Sequence, residues 1–225
     1  MTTPAPPPPR PVAAFDVDGT LSRRDTLLPF LQRLCGIQRL GRALAGKGMA
    51  LSRMAVGRAD RDAVKDALLV RLLAGRDAEE VAAAGEAYAQ FLADHGRLRP
   101  DTCHRLDEHR AAGHRVVLVS ASPEVYLGPL GRRLGVDAVL ASGLEKGVDG
   151  RLTGRLAGRN CRGPEKVVRL DAWLGAAPGE GPYVYAYGDS DGDRELLARA
   201  DVGVLVRPRR PLPGLSLLDA DGGSR

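Results

Sequence analysis

The segment AAFDVDGTLS, residues 13–22, ends an apolar run with two aspartates and then turns through Gly-Thr. Because side chains alternate between the two faces of a strand, Asp16 and Asp18 are expected on one face and Val17 on the other. Two neighbouring carboxylates repel each other, and each loses hydration near a protein interior. The segment therefore predicts a strand that ends at a functional site, where a cation or a reaction requires both acids.

The composition is that of an ordinary globular protein, with 44% hydrophobic and 27% charged residues in a chain of 225. This length allows one sizeable domain, or one domain with a smaller insert. The net charge of +5 comes almost wholly from arginine, which supplies 29 of the 33 basic residues. The arginines are scattered and aromatic residues make up only 4%, so the composition argues against nucleic-acid binding.

The N-terminal stretch MTTPAPPPPRP has neither the charged start nor the apolar core of a signal peptide, and the chain contains no run of 18 apolar residues. We therefore expect a cytoplasmic protein without stable membrane insertion. Residues 1–11 are predicted to be a disordered lead and residues 211–225 a disordered tail. The three cysteines lack metal-binding spacing and are expected to be reduced and mostly buried thiols, and the four histidines are expected at the surface.

The chain is organised as one strand, a long helical interval, and then alternating strands and helices. From about residue 26 to residue 113, apolar residues recur at helical spacing. After this interval, short strands such as RVVLVSAS and YVYAYGDS alternate with helices, and LEKGVDGRLTGRL predicts a hairpin. The alternation predicts an α/β fold, a doubly wound parallel sheet with helices on both faces.

The helical interval is too long for a simple crossover between two strands. We interpret residues 26–98 as a helical cap over the edge of the sheet. Residues 12–25 and 99–210 then form the core domain.

Three predicted strands end in polar residues of a similar kind, in FDVDGT, LVSAS and YGDSDGD. Parallel strands place their carboxyl ends at one edge, where the following side chains are expected to meet: Asp16, Asp18, Ser120, Asp189 and Asp193. Asp16 and Asp189 can share one hard cation, which offsets the repulsion between the carboxylates. A single aspartate at a strand end is more often the N-cap of the next helix, but no helix obviously begins at Gly19.

Four motifs in order, DVDGT, VSAS, the lysine of CRGPEK and GDSDGD, resemble the motif set of the haloacid dehalogenase superfamily of phosphotransferases. The helical insert after the first motif is similar to that of the C1-capped members. The tract DGRLTGRLAGRNCRGPEKV resembles the phosphoserine-phosphatase-like branch, subfamily IB. The resemblance covers roughly residues 12–206 and implies a Rossmann-like core with an inserted C1 cap.

This resemblance implies a Mg²⁺-dependent phosphatase that forms an aspartyl phosphate. Asp16 would be the nucleophile, and Asp18 would protonate the leaving oxygen and then activate water. Mg²⁺ would be held by Asp16, the backbone carbonyl of Asp18, and Asp189. The residues implied to bind the phosphoryl group are Ser120, Ala121 and Lys166. Those implied to support the site are Asp193, Gly19 and Thr20.

The substrate implied is a small phosphorylated metabolite, and we expect the enzyme to be a monomer or a homodimer. Phosphoserine phosphatases carry an acidic residue shortly after the first motif, and Asp25 falls near that position. They also carry a cap arginine for the substrate carboxylate, but Leu69 stands there, with Lys65 and Arg71 nearby. This departure argues against L-phosphoserine as the substrate.

Three other functions are compatible with parts of this pattern. A phosphotransferase would use the same site with an acceptor alcohol in place of water. A receiver-like phosphoacceptor module shares the residue types, but such modules lack the second aspartate and the long helical insert. A non-catalytic binder would retain the fold, although every expected chemical group is present.

Overall fold

The computed structural model describes residues 9–45, 58–175, 181–207 and 218–219. The strands are β1 (Val12–Phe15), β2 (Arg115–Pro123), β3 (Ala138–Ser142), β4 (Leu144–Lys146), β5 (Leu152–Leu156), β6 (Val184–Gly188), β7 (Val202–Leu205) and β8 (Leu218–Asp219). Six of them form a parallel sheet in the order β3-β2-β1-β6-β7-β8, and β4 pairs with β5 in an antiparallel hairpin. The predicted α/β fold with a parallel sheet is confirmed.

The helices are α1 (Leu27–Cys35), α2 (Ile37–Ala45), α3 (Arg58–Leu73), α4 (Ala78–Asp94), α5 (Pro100–Ala111), α6 (Glu124–Leu134), α7 (Pro164–Leu174) and α8 (Arg194–Arg199). The first five lie between β1 and β2, so the helical interval is confirmed in its described part. Local chemistry sets where α4 begins, because the Asp77 carboxylate accepts hydrogen bonds from the N–H groups of Glu79 and Glu80. No helix in the described ranges is long and apolar enough to cross a bilayer.

Strand β1 lies at the centre of the sheet and is fully buried. Val12 and Ala14 belong to an apolar cluster that includes side chains of α7 and α8. Ala13 and Phe15 belong to a larger cluster, which includes side chains of α1 to α6. Because helices cover both faces, the sheet is doubly wound, as predicted. For the same reason the central strand is a continuous run of apolar residues and does not alternate with polar ones.

Two linkers join the helical insert (residues 26–98) to the core, and they run side by side. The Arg23 N–H donates to the Arg97 carbonyl at 2.9 Å, and the Arg99 N–H donates to the Leu21 carbonyl at 2.7 Å. The predicted boundaries, 25/26 and 98/99, fall at these linkers. A division into separate core and cap domains stays a prediction, because both parts contribute to the same apolar cluster.

Two close backbone contacts fix the helical insert against the core. At Gly85 in α4, a Cβ would overlap the backbone oxygen of Val125 in α6. At Gly154 in β5, which has a φ of +80°, a Cβ would lie 2.5 Å from the Cα of Val70 in α3. The hairpin that carries Gly154 turns between β4 and β5, as predicted, and its packing ties the C-terminal half of α3 to the core.

The structure departs from the predicted disordered tail at one strand. Leu218 and Asp219 form β8, which pairs with Val204 and Leu205 of β7. The other residues of the predicted tail and residues 1–8 of the predicted lead lie outside the described residues. All three cysteines are free thiols, as expected, but only Cys161 is buried, whereas Cys35 and Cys103 are partly exposed.

The prediction of surface histidines is wrong for His109, which is only 7% exposed. Its Nε2 lies 2.7 Å from the Tyr187 hydroxyl and its Nδ1 lies 2.8 Å from Nδ1 of His114. Tyr187 in turn stacks on Phe15, the last residue of β1, with ring centroids 4.3 Å apart. Burial, with a further contribution from His114, lowers the pKa of His109 to about 4.

Lowering the pH from about 6.5 to about 4 is therefore expected to reduce the free energy of unfolding. The folded-state pKa of His109 is depressed, so the unfolded chain binds a proton that the folded chain does not, and stability is lost as the pH falls through this window. The substitution His109→Phe should flatten this part of the pH profile in urea unfolding, whereas the exposed His104→Phe should retain it. An equally steep loss in His109→Phe would show that other groups cause the acid sensitivity.

Candidate active site

A cleft of about 520 Å³ lies between the carboxyl ends of β1, β2 and β6 and the helical insert. All of the residues predicted for catalysis, metal binding and phosphate binding line it: Asp16, Asp18, Ser120, Ala121, Lys166 and Asp189. Gly19 and Asp193, predicted to support the site, also line the cleft. Thr20 does not, and its hydroxyl is buried without a hydrogen-bond partner among the described residues. The convergence of the strand ends is as expected from the parallel sheet.

A larger groove of about 1140 Å³ lies between α1, α4 and the two linkers. Arginine and aromatic side chains line this groove, and Asp25 is the one carboxylate among the described residues that line it. It holds neither of the paired aspartates nor Lys166. The chemistry of the four motifs therefore lies in the smaller cleft.

Of the two aspartates of the first motif, Asp16 directly follows strand β1 and Asp18 lies within a wide turn. Strand β1 ends at Phe15, and the residues Val17–Leu21 form a turn closed by a 2.8 Å hydrogen bond from the Ser22 N–H to the Val17 carbonyl. Both side chains line the cleft while Val17 packs in the apolar core, as expected, but Asp18 lies in the turn rather than on the strand. The turn gives the two carboxylates different surroundings within one cleft.

Asp16 belongs to a buried ion-pair network centred on Lys166. The Lys166 ammonium donates to Asp16 Oδ1 and to Asp193 Oδ1, each at 2.6 Å, and all three side chains are buried. Burial disfavours the charged lysine, but the two carboxylates raise its pKa. Burial and Asp193 raise the pKa of Asp16, while Lys166 opposes that shift. The other oxygen of Asp16 accepts no hydrogen bond from the described residues and faces the cleft.

Asp18 is held by hydroxyl and amide donors rather than by a cation. Its Oδ1 accepts from the Thr26 N–H at 2.8 Å and the Thr26 hydroxyl at 2.6 Å, and its Oδ2 accepts from the Ser122 hydroxyl at 2.5 Å. Burial, followed by the negative charge of Asp25, raises the pKa of Asp18 to about 6. A fixed carboxyl whose pKa lies closer to neutrality can give up and take back a proton.

Three aspartates could surround a metal ion at the edge of the sheet. One carboxylate oxygen each from Asp16, Asp189 and Asp193 lies within 4.8 Å of the others. Asp193 is already engaged: Lys166 donates to one oxygen, and donors of residues 189 and 190 reach the other at 3.1 to 3.2 Å. Asp16 and Asp189 therefore fit a hard cation such as Mg²⁺, while Asp193 anchors the loop that carries Asp189.

Gly19 lets the turn approach Asp189. Its φ is +92°, which favours glycine, and a Cβ there would overlap the Asp189 carboxylate. Any other residue would force the Asp189 carboxylate or the turn to shift. Glycine in the first motif is thus required by the close approach of two site elements.

The end of β2 also lines the cleft. The Ser120 hydroxyl accepts a hydrogen bond from the Ser122 N–H at 3.1 Å, and the Ala121 carbonyl accepts one from the Lys65 ammonium at 2.5 Å. Ser120 is buried, and its hydroxyl hydrogen can be donated into the cleft. Binding of a phosphoryl group by Ser120 and Ala121 stays a prediction.

The structure brings only two of the three predicted substrate residues to the cleft. Asp25 is exposed at the cleft, where its Oδ1 accepts from the Leu28 N–H at 3.1 Å, and Lys65 reaches in from α3. The prediction for Arg71 is corrected, because this side chain is exposed outside the cleft. Six residues along a helix turn a side chain well away from Lys65, and Leu69 fills the apolar core instead.

Several polar residues that line the cleft, or that bind its aspartates, were not identified from the sequence. Thr26 and Ser122 fix Asp18, and Asp62, Asn160 and Arg162 line the cleft near Lys65. Asn160 and Arg162 lie in the RNCRGPEK tract just before Lys166, which was the available signal. Thr26 carried no such signal, since a hydroxyl at a helix start is typical of an ordinary cap, and Asp62 was not distinguishable from other charged residues within a predicted helix.

Residues 13–198 match the family described as haloacid dehalogenase-like hydrolase. The chain belongs to this family. The matched range contains all four motifs and the helical insert, so the resemblance inferred from them is confirmed. The family assignment explains why an acidic pair, a lysine and a second acidic loop converge on one cleft.

Several known proteins are similar to this chain. Protein CicA of Caulobacter vibrioides is 35% identical over 84% of this chain and 83% of the relative. A crystal structure of a protein with unknown function from Bordetella pertussis Tohama I has a TM-score of 0.75 and 30% identity, and 92% of each chain is covered. A histidinol-phosphatase of Neisseria meningitidis serogroup C is 30% identical over 60% of this chain and 62% of the relative.

A solved phosphoserine phosphatase structure shares the fold of this chain. A substrate-bound phosphoserine phosphatase structure has a TM-score of 0.55 and 20% identity, with 88% of this chain and 86% of that chain covered. At this identity the comparison establishes the fold alone. The family match makes the chain a haloacid dehalogenase-like hydrolase.

The contact between Gly19 and Asp189 predicts a specific metal-binding defect. Gly19→Ala should weaken Mg²⁺ binding by at least about tenfold in calorimetric titration, because the added Cβ displaces the Asp189 carboxylate. Gly158→Ala is the matched control, since Gly158 has nearly the same φ, +90°, but no atom within 4 Å of a Cβ. Both variants should lose about 1 kcal/mol of stability from backbone strain. Equal Mg²⁺ affinity in the two variants would remove this role of Gly19.

Proposed function

We propose that this protein is a Mg²⁺-dependent phosphomonoesterase that hydrolyses a small phosphorylated metabolite through an aspartyl-phosphate intermediate. One observation carries the proposal. Two aspartates two residues apart lie in one cleft, yet Lys166 holds Asp16 while Thr26 and Ser122 hold Asp18. Such different surroundings suit one acid for nucleophilic attack and the other for proton transfer.

In the first half of the reaction, the Asp16 oxygen that is not bound to Lys166 attacks phosphorus. The bond between phosphorus and the ester oxygen breaks, and protonated Asp18 gives its proton to the leaving alcohol. The pKa of Asp18, raised to about 6, makes the protonated form accessible near neutral pH. Lys166 keeps Asp16 oriented and adds positive charge beside the transferred group.

In the second half, Asp18 acts as the base. It takes a proton from a water molecule whose oxygen attacks the phosphorus of the aspartyl phosphate, and the bond from phosphorus to the Asp16 oxygen breaks. Inorganic phosphate leaves, and both carboxyl groups return to their starting states. The hydrogen bonds from Thr26 and Ser122 keep the same carboxyl in place for both proton transfers.

Asp16, Asp189 and the backbone carbonyl of Asp18 would hold Mg²⁺ in this site. The ion supplies Lewis-acid charge to the phosphoryl oxygens. Oxygen donors from two carboxylates and a carbonyl suit a hard cation, and Lys166 and Asp193 fix the carboxylates that it needs. The helical insert would act as the cap that shields this site from bulk water.

The cleft favours a small substrate with an amino group. The relatives' names include histidinol-phosphatase and phosphoserine phosphatase, whose substrates are both phosphate esters of small amino alcohols. Asp25 places a carboxylate at the cleft, and Leu27, Val64 and Leu68 give it an apolar wall. Leu69 at the expected position of a cap arginine argues against phosphoserine itself.

The nucleophile and the proton donor can be separated by substitution. Asp16→Asn should reduce phosphate release from a small ester by about a thousandfold or more. Asp18→Asn should still be phosphorylated slowly, so that a phosphate adduct on Asp16 accumulates and can be detected by mass spectrometry. A covalent adduct on another residue, or near-normal turnover by Asp16→Asn, would contradict the proposed roles.

The requirement for a metal can be tested with a chelator in the same phosphate-release assay. EDTA should abolish turnover and added Mg²⁺ should restore it. A rate unaffected by chelation would remove the metal from the proposal, and with it the assignment of Asp189.

The substrate class can be tested at Asp25. Asp25→Ala should raise KM for histidinol phosphate about fivefold, the effect of roughly 1 kcal/mol of exposed charge attraction. The KM for para-nitrophenyl phosphate, which has no amino group, should not change. Equal effects on both esters would show that Asp25 does not recognise an ammonium group.

A further inference from the structure

A polar bridge joins α3 of the helical insert to the core inside the cleft. The Lys65 ammonium donates to the Ala121 carbonyl at 2.5 Å and to Asn160 Oδ1 at 2.6 Å. The Asn160 amide in turn donates from Nδ2 to Asp62 Oδ1 at 2.7 Å. Asp62 and Lys65 lie three residues apart on α3, so one side-chain amide meets both of them on neighbouring turns.

The two ends of the Asn160 amide match this pair in polarity. Its oxygen accepts from the lysine and its nitrogen donates to the aspartate, an arrangement that a carboxylate or an apolar side chain of similar size cannot reproduce. The same oxygen accepts from the Ser142 hydroxyl at 2.9 Å, and that hydroxyl oxygen accepts from the Cys161 N–H at 3.0 Å. Asn160 is therefore fixed to the end of β3 before it reaches the helical insert.

The bridge reaches the loop that is central to the proposed reaction. Ala121 lies between Ser120, predicted to bind the phosphoryl group, and Ser122, whose hydroxyl holds Asp18. By binding the Ala121 carbonyl, Lys65 fixes the peptide group between these two serines. Neither Ala121 nor Asn160 carries a charge, so the buried ammonium is bound here by neutral oxygens, and burial lowers its pKa to about 8.

Other contacts hold α3 at its opposite end. Gly154 of β5 packs against Val70, and the Gly75 N–H donates to the Leu152 carbonyl at 2.8 Å. The segment of α3 that carries Asp62 and Lys65 also contacts the core through a 3.7 Å ion pair between Asp62 and Arg162, and its Val64 and Leu68 are buried in the main apolar cluster. The bridge is thus placed to determine whether this part of the helical insert covers the cleft.

We propose that Asn160, Lys65 and Asp62 form a closing bridge, in which Asn160 and Lys65 are positioning residues for the phosphoryl-binding loop. The intact bridge holds the N-terminal half of α3 over the cleft and fixes the Ala121 carbonyl. Its opening lets substrate in and phosphate out. This inference deepens the proposed phosphatase function and rests on it for its kinetic part.

The structural part can be tested without any substrate. Hydrogen exchange of the α3 amides, followed by mass spectrometry, should become about tenfold faster in Lys65→Met and in Asn160→Ala. Arg71→Met is the matched control, because Arg71 lies on the same helix but is exposed outside the cleft. Unchanged exchange in both bridge variants would overturn the bridge as the contact that holds α3.

Asn160→Asp separates polar matching from shape. The substitution keeps the size of the side chain but sets a carboxylate against Asp62, so exchange of α3 should accelerate as in Asn160→Ala. Parent-like exchange in Asn160→Asp would overturn the argument from polarity. Because the change is nearly isosteric, a circular dichroism spectrum like that of the parent chain is expected.

The kinetic part uses histidinol phosphate and para-nitrophenyl phosphate. For both esters kcat should fall about tenfold in each bridge variant, because the loop that holds the phosphoryl group and Asp18 is less fixed. KM should change less than kcat, because the bridge positions this loop and does not bind the leaving group. The double variant Lys65→Met with Asn160→Ala should be no worse than either single one, since both remove the same bridge.

The outcomes distinguish this inference from the proposed function. Faster exchange with unchanged kinetics for both esters would overturn the positioning role. Additive losses in the double variant would overturn the single bridge. A parent protein without phosphatase activity, combined with faster exchange in the variants, would refute the proposed function while supporting the bridge as a structural contact.

Discussion

The candidate site depends on one buried ammonium group. Lys166 lies between Asp16 and Asp193 at 2.6 Å from each, and none of the three side chains has appreciable access to water. Two buried carboxylates without this cation would repel each other, and removing one partner of a buried ion pair typically costs about 3–5 kcal/mol. Asp193 also accepts from the backbone of residues 189 and 190, so the lysine links the ends of β1 and β6 into one rigid group.

The division of labour between the first two aspartates follows from a turn. Had β1 continued, Asp16 and Asp18 would have shared a face and similar surroundings. The turn that begins at Val17 instead directs Asp16 to the lysine and Asp18 to the hydroxyls of Thr26 and Ser122. The chemistry therefore uses a local break in the strand, which only a residue tolerant of positive φ can complete.

Much of the core could be predicted because parallel strands bring their carboxyl ends together, whatever their distance in the chain. From the sequence alone, this rule predicts that Asp16, Ser120 and Asp189 meet at one edge of the sheet. The helical insert follows no such rule, since its side chains reach the site only through helix packing. The helical spacing of apolar residues does not show that Lys65 lies inside the cleft and Arg71 outside it. It also does not reveal that His109 is buried.

The packing of the helical insert limits how the cleft can open. Helix α4 lies so close to α6 that Gly85 has no room for a Cβ beside Val125, which makes this side of the insert a fixed part of the core. The α3 side is held differently near the cleft, through hydrogen bonds of Lys65 and Asp62 to core groups. Hydrogen bonds can exchange with water at low net cost, whereas close backbone packing cannot be relieved by solvent. The proposed opening of the bridge would therefore move the N-terminal part of α3, next to the loop that holds Asp18, while the contact of Gly154 with Val70 keeps the other end of the helix in place.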